Sequence, residues 1–257
     1  MLLSIIVPVL DEVGTIARIL CLVNAALPDV EKEIIIVDDG SRDGTREWLQ
    51  SNFPGGWRAA GRLATGADGS LETTDAPGST RTTFRTLYHA RNLGKGAAIR
   101  SGLDAAMGDV LVIQDADLEY DPEDWAVMYD LIARRQVADV AYGSRFYGRP
   151  HRSLYFHHYL ANRLISVTFN LLYNQTLTDI ECCYKMFTRA VKEQLRLTCD
   201  DFGCEVQISA QIARAGRWRI YEVGISYFGR TYEEGKKVTW RDGVKALWYL
   251  VRFRLAR

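Results

Sequence analysis

Three short apolar runs in this sequence each end abruptly in carboxylates. Ser4–Leu10 (SIIVPVL) runs into Asp11-Glu12, Glu33–Val37 (EIIIV) into Asp38-Asp39, and Val110–Gln114 (VLVIQ) into Asp115-Ala116-Asp117-Leu118-Glu119. Short β-rich runs with little polar alternation are the pattern of strands covered on both faces. Arg85–His89 and Val137–Tyr142 have a similar character. Helical patterns lie between them, at Val13–Ala26, Thr45–Asn52, Lys95–Met107 and Pro122–Arg134. Pro122 suits a first helical turn, and Glu123 and Asp124 complement the N-terminal dipole. This rhythm predicts an α/β fold with a mainly parallel central sheet flanked by helices. The carboxylates then fall at the carboxyl ends of strands, where open α/β sheets bind ligands.

The second half is less regular. Ser153–Gln175 is long, aromatic and amphipathic, Phe202–Ala215 reads as a helix, and Arg219–Tyr227 as a strand. Thr239–Arg254 reads as a last helix bearing Trp240, Trp248, Tyr249 and Phe253 among basic residues. Residues 54–83 are rich in Gly, Ser, Thr and Ala without an apolar period. They are expected to form a flexible surface insertion, with a lid as the functional alternative. No repeat or linker divides the 257 residues, which are expected to form a single domain over 1–257.

Charge narrows the partners. The chain has 32 basic and 32 acidic side chains, so no cationic excess favours a nucleic-acid partner. The zero is a sum: residues 1–150 carry 15 basic against 22 acidic side chains, and 151–257 carry 17 against 10. Such asymmetry suggests different partners for the two halves. No run reaches the roughly 18 apolar residues of a membrane span. The N-terminus lacks the basic region and cleavage site of a signal peptide. Five cysteines without metal-type spacing read as reduced thiols in a cytoplasmic protein.

The chemistry concentrates behind the strands. While the chain stays extended, alternation puts Asp115, Asp117 and Glu119 on one side, with Asp121 adding to the cluster. Three hard oxygen donors suit Mg²⁺ or Mn²⁺, with a bound diphosphate completing the octahedron. The alternative is a solvated acidic turn. Asp38-Asp39-Gly40-Ser41 can accept hydrogen bonds from a ribose or base; alternatively Asp43 or Ser41 caps the helix at Thr45. Asn92-Leu93-Gly94-Lys95-Gly96 matches no full phosphate-loop motif. Even so, its glycines and Lys95 at a helix N-terminus suit close approach to phosphate.

The ordered set SIIVPVLDE, IIIVDDGSRDGT, NLGKGAAIRSG, DADLE and GSRF resembles family 2 glycosyltransferases. It is most similar to the branch of dolichyl- and polyprenyl-phosphate sugar synthases, which TDIECCYKMF, FGCE and GRTYEEGKKVTWRDG also fit. The resemblance implies a GT-A-type fold, a nucleoside diphosphate-sugar donor of UDP-glucose or GDP-mannose type, a divalent metal and inverting single displacement. It divides the domain into a nucleotide-sugar half (1–145) and an acceptor half (146–257). By position, Pro8, Leu10, Glu12, Asp38 and Asp39 look like the nucleoside pocket, and Asp115, Ala116 and Asp117 like the DxD motif. The third acidic position, often Gln in this branch, is Glu119.

Arg145 resembles an arginine that contacts acceptor phosphate, and a planar guanidinium suits that anion. The alternative is a salt bridge to the acidic cluster. Arg163 is a second acceptor candidate. Arg230, Lys236 and Lys237 are expected to close over donor or acceptor phosphate, or else to form a solvated basic loop. Asp179 stands where similar enzymes place a catalytic acidic residue, with Glu181 as its competitor; either could instead bind a sugar hydroxyl or pair with Lys185.

The aromatic stretch from Ser153, with Leu154, Tyr155 and Tyr159, suits a membrane interface, a packed helix or a dimer face. His151, His157 and His158 crowd its start without a metal-site spacing. Branch members often carry C-terminal membrane helices, whereas this sequence ends at Arg257 without one. The leading expectation is hexose transfer to a polyprenyl phosphate by a protein peripheral on the cytoplasmic membrane face. Alternatives are a soluble glycan or small-molecule acceptor, a non-catalytic nucleotide-sugar-binding subunit, and a homo-oligomer. The first strand–helix turn lacks the glycine fingerprint of a nicotinamide enzyme.

Overall fold

The computed structural model describes residues 1–66, 70–74, 81–147, 150–153, 155–231, 233 and 240–255. In chain order the elements begin β1 (Leu3–Val9), α1 (Ile16–Ala25), β2 (Lys32–Asp38), α2 (Thr45–Asn52), β3 (Trp57–Ala60), β4 (Arg62–Thr65) and β5 (Leu71–Thr74). Next come β6 (Thr82–Tyr88), α3 (Lys95–Ala105), β7 (Val110–Ile113), α4 (Trp125–Tyr129) and β8 (Val140–Ser144). The last are α5 (Phe156–Tyr173), β9 (Lys185–Thr188), α6 (Arg189–Lys192), α7 (Gly203–Ala215), β10 (Ile220–Gly224) and α8 (Trp240–Leu255).

One eight-stranded sheet runs β10-β8-β9-β7-β1-β2-β6-β3. Most pairs are parallel, as expected; β9 is antiparallel to both β7 and β8, and β3 to β6. Every residue of β1, β2, β7 and β8 is buried, which explains why their runs read as nearly unbroken apolar sequence. Pro8 is tolerated in a central strand because β1 pairs with β7 only from Leu3 to Ile6. Beyond that point β7 turns away, so its missing N–H leaves no β7 ladder bond unmade.

Two locks fix the helices on this sheet. Gly102 of α3 packs so tightly on Ile6 that a Cβ there would collide with its side chain. Lys32, 2% exposed, sends its ammonium to the carbonyls that end α1: Asn24 O at 2.7 Å, Leu27 O at 3.4 Å, and Ala26 O. These are orphan acceptors of a helix end, and the lysine satisfies them from the neighbouring strand.

Two expectations need correction, and one strand has no counterpart among them. Within 54–83 the chain builds β3, which extends the main sheet, and the antiparallel pair β4–β5, rather than an irregular insertion. Leu63 and Leu71 are buried there, so one apolar residue per short strand suffices to anchor it. The strand β9 was hidden by the buried Lys185 within it. The stretch 122–134 is not one helix: a 3₁₀ turn (Pro122–Asp124) leads into α4, and a π turn (Asp130–Arg134) follows.

Candidate active site

The three acidic segments leave adjacent strands, β7, β1 and β2, at one sheet edge. Hydrogen bonds stitch the segments behind β1 and β2 together. Arg42 N donates to Asp11 Oδ1 at 2.7 Å, Asp11 N to Ser41 Oγ at 3.0 Å, and Glu12 N to Thr45 Oγ1 at 3.0 Å. Asp43 Oδ1 accepts Thr45 N at 2.9 Å, so the capping role weighed for it is filled as well.

Asp38 and Asp39, expected to meet a nucleoside, are 0% and 2% exposed and already bonded to protein. Asp38 accepts Arg46 Nε at 2.6 Å and Ser41 N at 3.2 Å. Asp39 accepts the amides of Leu93 and Gly94 at 2.9 and 2.8 Å and lies 2.7 Å from His89 Nδ1; His89 Nε2 reaches Ser101 Oγ at 3.0 Å. Asp39 therefore organises the loop Asn92–Gly96, and Asp38 the turn that leads into α2.

That loop is not an open phosphate cradle. Besides the two amides held by Asp39, the amides of Gly96 and Ala97 donate to the carbonyl of Asp200 at 2.8 and 3.4 Å. Gly94 (φ +102°) and Gly96 are glycines because the backbone at Cys199–Asp200 lies where a Cβ would stand. The side chain of Lys95 turns to two carboxylates. Its Nζ lies 2.7 Å from Asp115 Oδ1 and 3.3 Å from Glu205 Oε1. Glu205 of α7 also holds the fully buried Lys185 at 2.7 Å, so a chain of alternating charge runs from the core to Asp115. The expectations missed Glu205. Its signal was a carboxylate on a helix face that is otherwise apolar.

Behind β7 the chain does not stay extended. It turns, with Leu118 at φ +64°, and Glu119 meets the segment Tyr227–Arg230. The Glu119 carboxylate accepts Tyr227 OH at 2.9 Å and the amide of Arg230 at 2.9 Å. The Arg230 guanidinium lies 2.9 Å from Asp117, 3.3 Å from Glu119 and 3.5 Å from Glu12. The expected three-carboxylate metal set is therefore corrected. Among the described residues, no three acidic, histidine or cysteine side chains close on one point as a ready metal site. Asp115 and Asp117 remain, each 18% exposed and each matched to a cation from another element.

This pair fits a hard divalent ion. Burial, with Asp115 and Glu119 beside it, pushes the Asp117 carboxyl up to about 7. Its charge is held against electrostatic cost, which a cation would offset. Two carboxylate oxygens leave the other positions of an octahedron to water and a ligand's phosphates, the usual Mg²⁺ arrangement.

Arg145, just after β8, meets Asp179 in a two-pronged pair, with Nε and the second nitrogen each 2.7 Å from a carboxylate oxygen. Asp179 is fully buried and also accepts Arg145 N at 3.1 Å. Both oxygens of Asp179 are thus taken up by Arg145, so it is placed to hold that guanidinium rather than to stand free as the catalytic acidic residue. Arg145 thus takes the salt-bridge alternative, with Asp179 rather than the acidic cluster as its partner. Its guanidinium carbon also lies 5.2 Å from the ring centre of Tyr227. Glu181 differs: among the described residues its carboxylate makes no hydrogen bond or ion pair. Burial pushes it up to about 7, against the opposing pull of Arg145.

Pro8 lies within β1 and Leu10 just past its end, and Ala116 is buried between the two aspartates. Arg163 is halfway along α5, and the structure pairs it with none of these groups. Lys236, Lys237 and Leu154 lie outside the described residues.

The sequence profile of Glycosyl transferase family 2 matches residues 4–60 and 68–196. Undecaprenyl-phosphate 4-deoxy-4-formamido-L-arabinose transferase of Aeromonas hydrophila is 25% identical over 91% of this chain and 62% of its own length. The low-salt glycan biosynthesis hexosyltransferase Agl6 of Haloferax volcanii is 28% identical over 98% of this chain and 53% of its own. The chain thus spans between half and two thirds of the length of these two curated relatives. Among solved structures, glucosyl-3-phosphoglycerate synthase of Mycobacterium tuberculosis, in complex with Mn²⁺, UDP and glucosyl-3-phosphoglycerate, superimposes with a TM-score of 0.65. It shares 16% identity, and the match covers 98% of this chain and 79% of that one. At that identity the likeness establishes the GT-A-type fold.

Proposed function

This chain belongs to glycosyl transferase family 2 and is a glycosyltransferase, and from that premise we propose that it moves a hexose from a nucleoside diphosphate-sugar to a polyprenyl phosphate, with inversion. The observation that carries this reading is the crossed charge at the sheet edge. Asp115 and Asp117 are paired across elements with Lys95 and Arg230. A diphosphate bound through a divalent cation needs both signs: carboxylates for the cation, ammonium and guanidinium for phosphate oxygens. The relatives named for undecaprenyl phosphate support a lipid phosphate as acceptor.

In this reading Pro8, Leu10 and Glu12 wall the nucleoside. Asp38 and Asp39, buried behind that wall, support it through Arg46 and the Asn92–Gly96 loop rather than by touching the nucleoside. Asp115 and Asp117 would hold Mg²⁺ or Mn²⁺, which when bound would supply Lewis-acid stabilisation for a departing diphosphate. Lys95 and Arg230 exchange their present carboxylate partners for phosphate oxygens. Asp179 fixes the plane of Arg145, so that the guanidinium orients the acceptor phosphate, with Arg163 and Lys236 as further acceptor contacts. A phosphate acceptor is already anionic and needs orientation more than deprotonation. The unpaired thiols, four of the five buried, suit a reducing compartment and hence the cytoplasmic side of the membrane.

One observation favours a second reading, a hydroxyl acceptor on a soluble glycan or small molecule. A carboxyl near 7, as at Glu181, is suited to a general base, which only a hydroxyl acceptor requires. The experiment offers the purified chain labelled UDP-glucose or GDP-mannose with Mn²⁺, and undecaprenyl phosphate or a soluble hydroxyl acceptor. Label extracted into organic solvent supports the first reading; label kept in water and attached to the soluble acceptor overturns it.

A further inference from the structure

The C-terminal half carries an apolar surface that the reaction does not use. Of 22 exposed large hydrophobic side chains among the described residues, ten lie on α5 and α8. On α5 the exposed residues Phe156, Leu160, Leu164, Val167 and Leu171 recur at spacings of three and four, one line along the helix. The opposite face, with Ile165, Ser166, Phe169 and Tyr173, is buried in the protein. A helix apolar on both faces is normally covered on both. On α8 the exposed residues Val244, Trp248, Val251 and Leu255 form a second such line, while Ala246, Leu250 and Phe253 are buried.

The two helices are tied together. Tyr173 OH donates to the carbonyl of Leu250 at 3.0 Å, and Arg254 Nε to that of Leu172 at 2.9 Å. Charge identifies the occupant. The sequence of α5 contains no acidic residue. On α8, at 3.6 residues per turn, Lys245 and Arg252 flank the apolar line on one side and Arg254 on the other. Arg252 lies over the Trp248 ring, 5.0 Å from its centre. An apolar line bordered by cations, with an exposed tryptophan, is the pattern of a helix lying in a membrane interface. A second copy of the chain would set two like-charged faces against each other.

We propose that α5 and α8 together form a docking surface for a bilayer bearing anionic headgroups. Phe146, beside Arg145, contacts Tyr159 of α5 at 5.3 Å between ring centres, so this surface begins next to the proposed acceptor group. That it serves acceptor delivery rests on the lipid-phosphate reading; the docking itself does not.

The test is co-sedimentation of the full chain with vesicles of phosphatidylcholine, with and without phosphatidylglycerol. Binding to the anionic vesicles, weakened by salt, is expected. A Leu164→Ser, Trp248→Ser double variant should bind them roughly tenfold more weakly, because it removes buried apolar area while the cations remain. Both side chains are exposed, so the melting temperature should hold. Transfer to a short-chain, water-soluble prenyl phosphate should hold as well. Absence of wild-type binding to anionic vesicles at low salt would overturn the proposal. So would a stable dimer that the double variant turns into monomer. If the wild-type chain glycosylates no prenyl phosphate at all, the acceptor reading fails, and the vesicle result still decides this one.

Discussion

Arg230 reaches Asp117 across 113 positions of sequence to form a 2.9 Å contact, and the same guanidinium touches Glu12 and Glu119. One cation thus serves carboxylates behind both β1 and β7. In the proposed reading a divalent ion held by Asp115 and Asp117 would compete with this guanidinium for Asp117.

Competition follows from that geometry. Arg230→Ala should let Mn²⁺ raise the melting temperature at lower concentration than in the wild-type chain, because the ion no longer displaces an internal cation. Mn²⁺ titrations followed by thermal shift read this directly. An unchanged or higher midpoint would show that Arg230 and the ion do not share the site.

Asp117→Ala should remove transfer activity by roughly two to three orders of magnitude, the scale of losing a main electrostatic contact to a developing charge. Folding should be kept or slightly improved, since a carboxyl pushed up to about 7 is held at a cost. Initial rates and a urea melt on the same preparation separate the two effects.

Asp179→Ala leaves Arg145, 13% exposed, as a buried charge without its partner. A loss of about 3–5 kcal/mol is expected, measured by urea denaturation. Asp179→Glu should recover part of that stability but not the acceptor KM, because the longer side chain shifts the guanidinium plane. Full recovery of both would assign the pair a purely structural role.

The pH dependence has a definite sign. Burial raises the Glu181 carboxyl from 4.5 to about 7, so the folded chain keeps this proton to higher pH than the unfolded chain. Between those values the folded state binds more protons, and stability must fall as pH rises. Glu181→Gln should flatten that slope in urea midpoints taken at about pH 5 and about pH 7.5. Some slope should persist, because Asp117 is shifted in the same direction.

Gly96→Ala should destabilise by about 1–3 kcal/mol. The new methyl would meet the Cys199 carbonyl and the Cys204 side chain, neither of which is a flexible tip. Circular dichroism melts check it, and the same substitution at the open Gly14 is the control.

Some of this was legible in the sequence because it depends on neighbours along the chain. The α2 limits match the pattern Thr45–Asn52, while β1 and β2 differ from their apolar runs by one residue at each end and β7 by one residue at one end. Burial on both faces leaves few other patterns for such runs. The strands β3, β4, β5 and β9 have four residues each, as β7 does, but each mixes polar with apolar residues and so lacks the unbroken apolar run that marks β7. At the site, the positions of Asp115 and Asp117 followed from the strand end. Their partners did not, because Lys95 and Arg230 come from segments that meet them only in the fold. The same holds for Asp39: its sequence advertises a free carboxylate, while His89 and two loop amides, 50 to 55 positions away, take it up.

The placement of β9 has a consequence for how the chain is made. It lies between β7 and β8 and is antiparallel to both. A nascent chain ending near residue 145 has therefore synthesised both neighbours but not the strand that joins them. Until residues 185–188 leave the ribosome, β7 and β8 each present an unpaired edge, the kind of surface that invites aggregation. The nucleotide-facing half should therefore not be separable as a stable fragment, and a graft that exchanges acceptor halves between relatives must carry β9 with the half it completes.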